Sequence, residues 1–139
     1  MSQFAIVALF CEDVRVEQTG QETLVGVLPD NIQVAAIPGL MPKLATYVRC
    51  NFSSDFSLKT LRIKMIAPNG DVLMDNIVDQ EIIQQTVRES SENGAAIYSI
   101  KSFAIFSPFN VAEVGHFNVM SVVNDEEHLS GAIRFGLTP

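Results

Sequence analysis

An antiparallel β-sandwich, immunoglobulin-like or similar, of about seven to nine strands with one short helix is the architecture this sequence predicts. Three observations carry that prediction. β-Branched apolar residues dominate, 15 Val and 12 Ile against 10 Leu, a bias that suits a pleated surface better than a helix. Apolar and polar residues alternate at period two through several short segments, the mark of strands with one buried face. Clusters of Gly, Pro, Asn and Asp separate those segments, as turns do. The 139 residues are enough to bury about two thirds of the unfolded surface around one core, so a single β-sandwich domain is expected over residues 1–139.

Phe4 to Cys11 is apolar at every position, like a strand covered on both sides. The run is far short of the ~20 residues that span a bilayer as a helix. Met1-Ser2-Gln3 offers no basic n-region, and Phe10 is too large to precede a lipoprotein-type cysteine, so a cytoplasmic location is expected. Gln18-Thr19-Gly20-Gln21 is a turn, Glu22 to Leu28 a second strand, and Pro29-Asp30-Asn31 a break. A short strand, Ile32 to Ala36, leads into Pro38-Gly39-Leu40-Met41-Pro42, where two prolines predict a crossing loop without a ladder. In Leu44 to Phe52 the even positions point inward and Tyr47, Arg49 and Asn51 outward. Leu61, Ile63 and Met65 face in while Arg62 and Lys64 face out, and Ser53 to Ser57 reads as the hairpin loop that makes these two strands neighbours.

Ala67-Pro68-Asn69-Gly70-Asp71 is the strongest turn signal, joining the Leu61 strand to Val72 through Val78. The period then changes. Ile82, Ile83, Thr86 and Val87 line one stripe, Asp79 can cap its start and Asn93-Gly94 its end, which predicts a helix near 80–92. Strands resume at Ile97 to Phe106, with a corner at Ser107-Pro108-Phe109. Val114 to Val123 turns Phe117 and Val119 inward, Asn124-Asp125-Glu126-Glu127 is a solvated turn, and Leu129 to Leu137 sends Ile133, Phe135 and Leu137 into the core.

The opening Phe4-Ala5-Ile6-Val7-Ala8-Leu9-Phe10-Cys11-Glu12-Asp13-Val14-Arg15, then Leu24-Val25-Gly26-Val27, Ile105-Phe106-Ser107-Pro108-Phe109 and Gly115, resemble a family of short bacterial proteins known only as a domain of unknown function. The likeness runs over nearly the whole chain. It implies a stand-alone sandwich domain of a bacterium and transfers no catalytic residue.

The net charge of −7 and pI near 4.6 argue against nucleic acid as a partner, because phosphate affinity comes from Lys and Arg, and against an anionic membrane surface. No G-x-G-x-x-G, G-x-x-x-x-G-K or G-x-S-x-G pattern occurs. His116 and His128 are the only histidines and read as surface residues near hairpin ends. A metal site would combine them with Cys11, Cys50 or Asp125, but no C-x-x-C or H-x-x-x-H spacing supports it. Cys11 and Cys50 lie in strand-like runs and read as reduced, buried thiols, inert as nucleophiles. Calcium would need Asp125-Glu126-Glu127 gathered with Glu12, Asp13, Asp30 or Asp71, and a solvated turn is the simpler reading. Without Trp and with two Tyr, a carbohydrate platform is poorly supplied. No catalytic, metal or cofactor residue is assigned, no cofactor is expected, and no small-molecule ligand is named.

Charge distribution says more. Residues 1–70 hold 6 acids and 6 bases, whereas residues 71–139 hold 10 acids and 3 bases. Tyr47, Arg49, Arg62 and Lys64, on outward faces of strands read as neighbours, form a candidate interaction surface for an acidic partner or for the acidic half of a second copy. Intramolecular pairing is the alternative. A two-residue hairpin at Asn69-Gly70 sets Asp75 opposite Lys64; a three-residue loop with a bulge turns Asp75 inward. Ile66, Met120 and Val122 would centre an apolar interface if exposed together. The function expected is a non-enzymatic bacterial binding or assembly module with a protein partner or a second copy. The alternatives are a small metal-dependent or thiol enzyme using Cys11, Cys50, His116 and nearby carboxylates, and a structural component of a phage-like or secretion-like assembly.

Overall fold

A computed structural model describes residues 3–139. Within them eleven strands and one helix follow in order: β1 (Phe4–Val16), β2 (Glu22–Val27), β3 (Asn31–Val34), β4 (Gly39–Met41), β5 (Leu44–Ser53), β6 (Leu61–Ile66), β7 (Val72–Ile77), α1 (Gln80–Glu92), β8 (Ile97–Phe106), β9 (Phe109–Val111), β10 (Gly115–Val123) and β11 (Glu126–Leu137). A four-stranded sheet, β2-β1-β5-β8, faces a five-stranded sheet, β3-β11-β10-β6-β7, and β4 pairs with β9. Every ladder is antiparallel except β3 against β11.

The core lies between the two large sheets. Ala8 and Phe10, Val48, Cys50 and Phe52, and Tyr98 and Ile100 meet Leu61, Ile63 and Met65, Phe117 and Val119, and Ile133 and Phe135. Each set is the buried half of a period-two alternation. Phe109 closes one end against Phe117 and Phe135, with ring centroids at 5.6 and 5.8 Å. At the other end Phe52 stacks on Tyr98 and Phe56 at 5.4 and 5.6 Å, and the Tyr98 hydroxyl donates to the Phe56 carbonyl at 2.9 Å. Side-chain volume also limits how near the sheets come: a Cβ on Gly131 of β11 would lie 2.8 Å from the Ala8 carbonyl oxygen of β1, so that approach requires glycine.

α1 is capped as its sequence predicts, the Asp79 carboxylate accepting from the Glu81 N–H at 3.0 Å. Ile83 is its buried anchor, and Ile82 beside it is 52% exposed, because the helix touches the sheets along one narrow line.

Several expectations are corrected. Leu44–Ser53 and Leu61–Ile66 are not neighbours: β5 belongs to one sheet and β6 to the other, and residues 54–60 cross between sheets instead of closing a hairpin. Gly39–Met41 does form a ladder, with β9, because the prolines at 38 and 42 flank its three pairs without occupying them. Phe109 likewise belongs to a strand and not to a corner. β1 is covered on one side only over its first half, with Val7 exposed. Leu137 is exposed at the end of β11. The turn at the end of β10 narrows to Asn124-Asp125, with φ of 48° and 69°, a two-residue hairpin of the primed kind. At Pro68-Asn69-Gly70 the ladder shifts between Met65 and Ile66, yet Lys64 still stands opposite Asp75. The shift beside the turn absorbs the longer loop, so Asp75 stays outward.

Asn124 ties this hairpin to the crossing segment. Its Oδ1 accepts from the Lys59 and Thr60 N–H groups at 2.7 and 3.2 Å, and its Nδ2 donates to the Ser57 carbonyl at 2.9 Å. Replacing Asn124 by Gly removes these bonds and should cost about 1–3 kcal/mol. Asn124→Ala should cost roughly 1 kcal/mol more, because alanine also resists the left-handed backbone. Denaturant unfolding of the two variants checks both the loss and its order.

Candidate functional site

The outer face of the four-stranded sheet carries an apolar cluster outside the core, a polar latch and exposed apolar side chains; on the other outer face Ile77, opposite Arg62, and Leu129, opposite Met120, are also exposed. From Phe4 to Phe10 the even residues of β1 turn to the core and the odd ones to this face. The β1–β2 pairing runs from Cys11–Val27 to Asp13–Val25, and Gly26 between them takes φ +63°. Beyond that irregularity the alternation changes side. Val14 and its partner Leu24 join Cys11, Ala45 and Tyr47 in a second, smaller apolar cluster separate from the core. β1 accordingly approaches β8 as well as its neighbour β5. The tip of the β1–β2 hairpin thus bends over the outer face of its own sheet.

A polar latch fixes it there. Glu22, the first residue of β2, accepts from the Tyr47 hydroxyl at 2.8 Å and pairs with Lys101 of β8 at 3.0 Å. Burial alone would raise the Glu22 carboxyl, but the hydrogen bonds from Lys101 and Tyr47, with the charges of Lys101 and Arg49, outweigh it and bring the group below the usual carboxylate range. Burial, then the bond to Glu22 and its charge, push Tyr47 up to about 12.

Beside the latch the face is open and apolar. Leu9, Tyr47 and Phe103 form one cross-strand row, Val7, Arg49 and Lys101 the next, and Cys11, Ala45 and Ile105 a third. Val7 is 53% exposed, and Leu9, Phe103 and Ile105 are each near two fifths. Arg49 stands among them. Its Nε donates to Asn51 Oδ1 at 3.3 Å, and among the described residues no carboxylate lies within ion-pair distance of it.

The four residues predicted to share a patch are divided between the two outer surfaces of the sandwich. Tyr47 and Arg49 are on this sheet, where Tyr47 is 8% exposed beneath the hairpin. Arg62 and Lys64 are on the other, where Arg62 pairs with Asp75 and Lys64 with Glu127. Ile66, Met120 and Val122 lie half-buried around those pairs. Cys50 stands opposite Ile6 and faces the core, whereas Cys11 stands opposite Ala45 in the outer cluster. The two thiols are therefore on opposite sides of one sheet, both free and buried, with Cys50 pushed up to about 12 by burial. His116 is exposed opposite Arg134; the His128 ring meets Phe4 edge-on at 5.1 Å, because its strand position turns it toward the sandwich interior. Among the described residues no three His, Cys, Asp or Glu side chains gather as a metal would require.

Sequence reasoning missed Val7, Leu9, Phe103 and Ile105 as surface residues, and Glu22 and Lys101 as partners. The alternation in Ile97 to Phe106 already sets Lys101, Phe103 and Ile105 on one face, and that signal was available.

Fold and face define a small, mainly β protein, and among the described residues no helix is long and apolar enough to cross a membrane. Over residues 6–135 the chain matches the model of a family of unknown function (DUF6941), and it belongs to that family. No curated protein and no solved structure matches it.

Because the folded Glu22 carboxyl titrates below its ordinary value of 4.5, its contribution is present above that pH and is lost as pH falls through the folded value. Glu22→Gln should lower stability at pH 7 by about 1 kcal/mol, the low end for a charged hydrogen bond because Lys101 is partly in water. The gap should narrow as pH falls below 4.5 and through the lower folded value; unfolding at pH 7 and at a series of acid pH values checks this. The raised Tyr47 works in the opposite sense, its contribution being present below pH 10 and lost by about pH 12. An aromatic thiol reagent should modify neither cysteine in the native protein and both after unfolding, since the thiolate is the reactive form.

Proposed function

We propose that this chain is a non-enzymatic binding or assembly module of the bacterial cytoplasm, and that the outer face of the β2-β1-β5-β8 sheet is where its protein partner docks. One observation carries the reading: Val7, Leu9, Phe103 and Ile105 lie in adjacent rows on that face and are open to water. About two fifths to a half of each side chain is still exposed, which forgoes roughly 1 kcal/mol each relative to full burial. Apolar side chains grouped on a sheet face are a mark of an interaction surface, and here they form two pairs, Val7 with Leu9 on β1 and Phe103 with Ile105 on β8, on either side of the Tyr47 latch. On the opposite outer face the cations Arg62 and Lys64 are already matched within the chain. Against the thiol-enzyme alternative stand the separation of the two thiols across one sheet and the upward shift of both by burial, which leaves little thiolate near neutral pH.

A photo-crosslinking residue at position 103, compared with one at position 129 on the other outer face, tests the reading in the source cell. Adducts are expected from position 103 and not from 129. Equal adducts from both, or none from either, would overturn the assignment.

A further inference from the structure

We infer that the partner presents a carboxylate set within an apolar surface, and that Arg49 is the residue that selects it; this rests on the docking face described above. Arg49 lies on the middle strand of that patch, between Val7 and Lys101, with the Leu9–Tyr47–Phe103 row on one side of it. Its one side-chain hydrogen bond is to Asn51 through Nε, and the terminal guanidinium nitrogens have no carboxylate within 4 Å among the described residues. Glu22 makes no ion pair with it: Oε1 takes the bonds from Tyr47 and Lys101, and Arg49 acts on Glu22 only through its field.

In water an unpaired guanidinium is well solvated. The situation changes when the face is covered. A partner that buries Val7, Leu9 and Phe103 must also strip water from Arg49, and a desolvated, unpaired charge is strongly unfavourable. A purely apolar partner is therefore rejected, and a cationic one more so. A carboxylate matches the planar fork of the guanidinium with two parallel hydrogen bonds, so covering the face and pairing the charge become one event. A second copy using the same face would add a second Arg49 and a second Lys101 to the interface, and each chain carries a net charge of −7, which repels another copy at long range. The occupant that fits is a different protein with an acidic residue inside an apolar strip.

The full chain can be titrated with three synthetic amphipathic helical peptides, identical except that the leucine stripe carries a central Glu, Gln or Lys. The Glu peptide should bind at least about tenfold more tightly than the Gln peptide, the effect of one charge-assisted pair, and its advantage should shrink with added salt. Arg49→Glu should reverse the order in favour of the Lys peptide. Val7→Asp, which supplies a carboxylate beside Arg49, should abolish the preference. Both positions are exposed, and a thermal melt of each variant confirms that it is folded. Equal binding of the three peptides, binding of none, or an unchanged order in Arg49→Glu would overturn the inference. So would sedimentation showing self-association that depends on Arg49, because the occupant would then be a second copy. Adducts at position 103 combined with any of those results would leave the docking face standing and remove only the carboxylate.

Discussion

β1 serves two apolar clusters on opposite sides of the sheet it belongs to, and it does so by changing face opposite Gly26. Before that point its inward residues, Ala8 and Phe10, belong to the main core. After it, Val14 packs with Leu24 over Tyr47. A strand with unbroken alternation would carry its hairpin straight out into solvent; the irregularity bends it back across the outer surface. The latch at Glu22, the cover over Tyr47 and Cys11, and the boundary of the open apolar face all follow from that one change of side.

Charge follows from the same geometry. The sequence is neutral in its front half and acidic in its back half, and the fold matches many of the cations within the chain. Arg62 and Lys64 are held by residues of the back half, Asp75 and Glu127. Lys101, from the back half, is held by Glu22 from the front. The halves therefore interlock instead of forming opposed poles. Among the described residues Arg49, Lys59, Arg88 and Arg134 are in no ion pair, and of these Arg49 is the one on the apolar outer face of the four-stranded sheet.

Much of the fold was legible because period-two alternation reports which residues share a face. Leu61, Ile63 and Met65, Phe117 and Val119, and the Asp79 cap were read from local pattern and lie where that pattern puts them. Alternation says nothing about which strand lies beside which. β5 and β6 have the composition of a hairpin, and the segment between them is short, yet they belong to opposite sheets, a matter decided by packing between sheets. The unbroken apolar run of β1 hid the fact that one side is water-facing, since an exposed apolar side has the composition of a core. Among the site residues, the outward parity of Tyr47 and Arg49 was visible in the sequence. That a hairpin covers the first and leaves the second open depends on contacts between residues 25 positions apart, which no local window contains.

β8 is the ten-residue edge strand of the four-stranded sheet, with α1 packed against part of it and Asn76 of β7 donating to Ser102 at 2.9 Å. Its composition, Ile97-Tyr98-Ser99-Ile100-Lys101-Ser102-Phe103-Ala104-Ile105-Phe106, is of the sort that pairs readily with the same strand of another molecule and grows into fibrils. Lys101 is the single charge along it. Tethered to Glu22, the ammonium stays at the middle of that edge, where an incoming strand would have to bury it. The ion pair that clamps the hairpin is thereby also a gatekeeper, and its loss would be felt in the colloidal behaviour of the protein before it was felt in its fold.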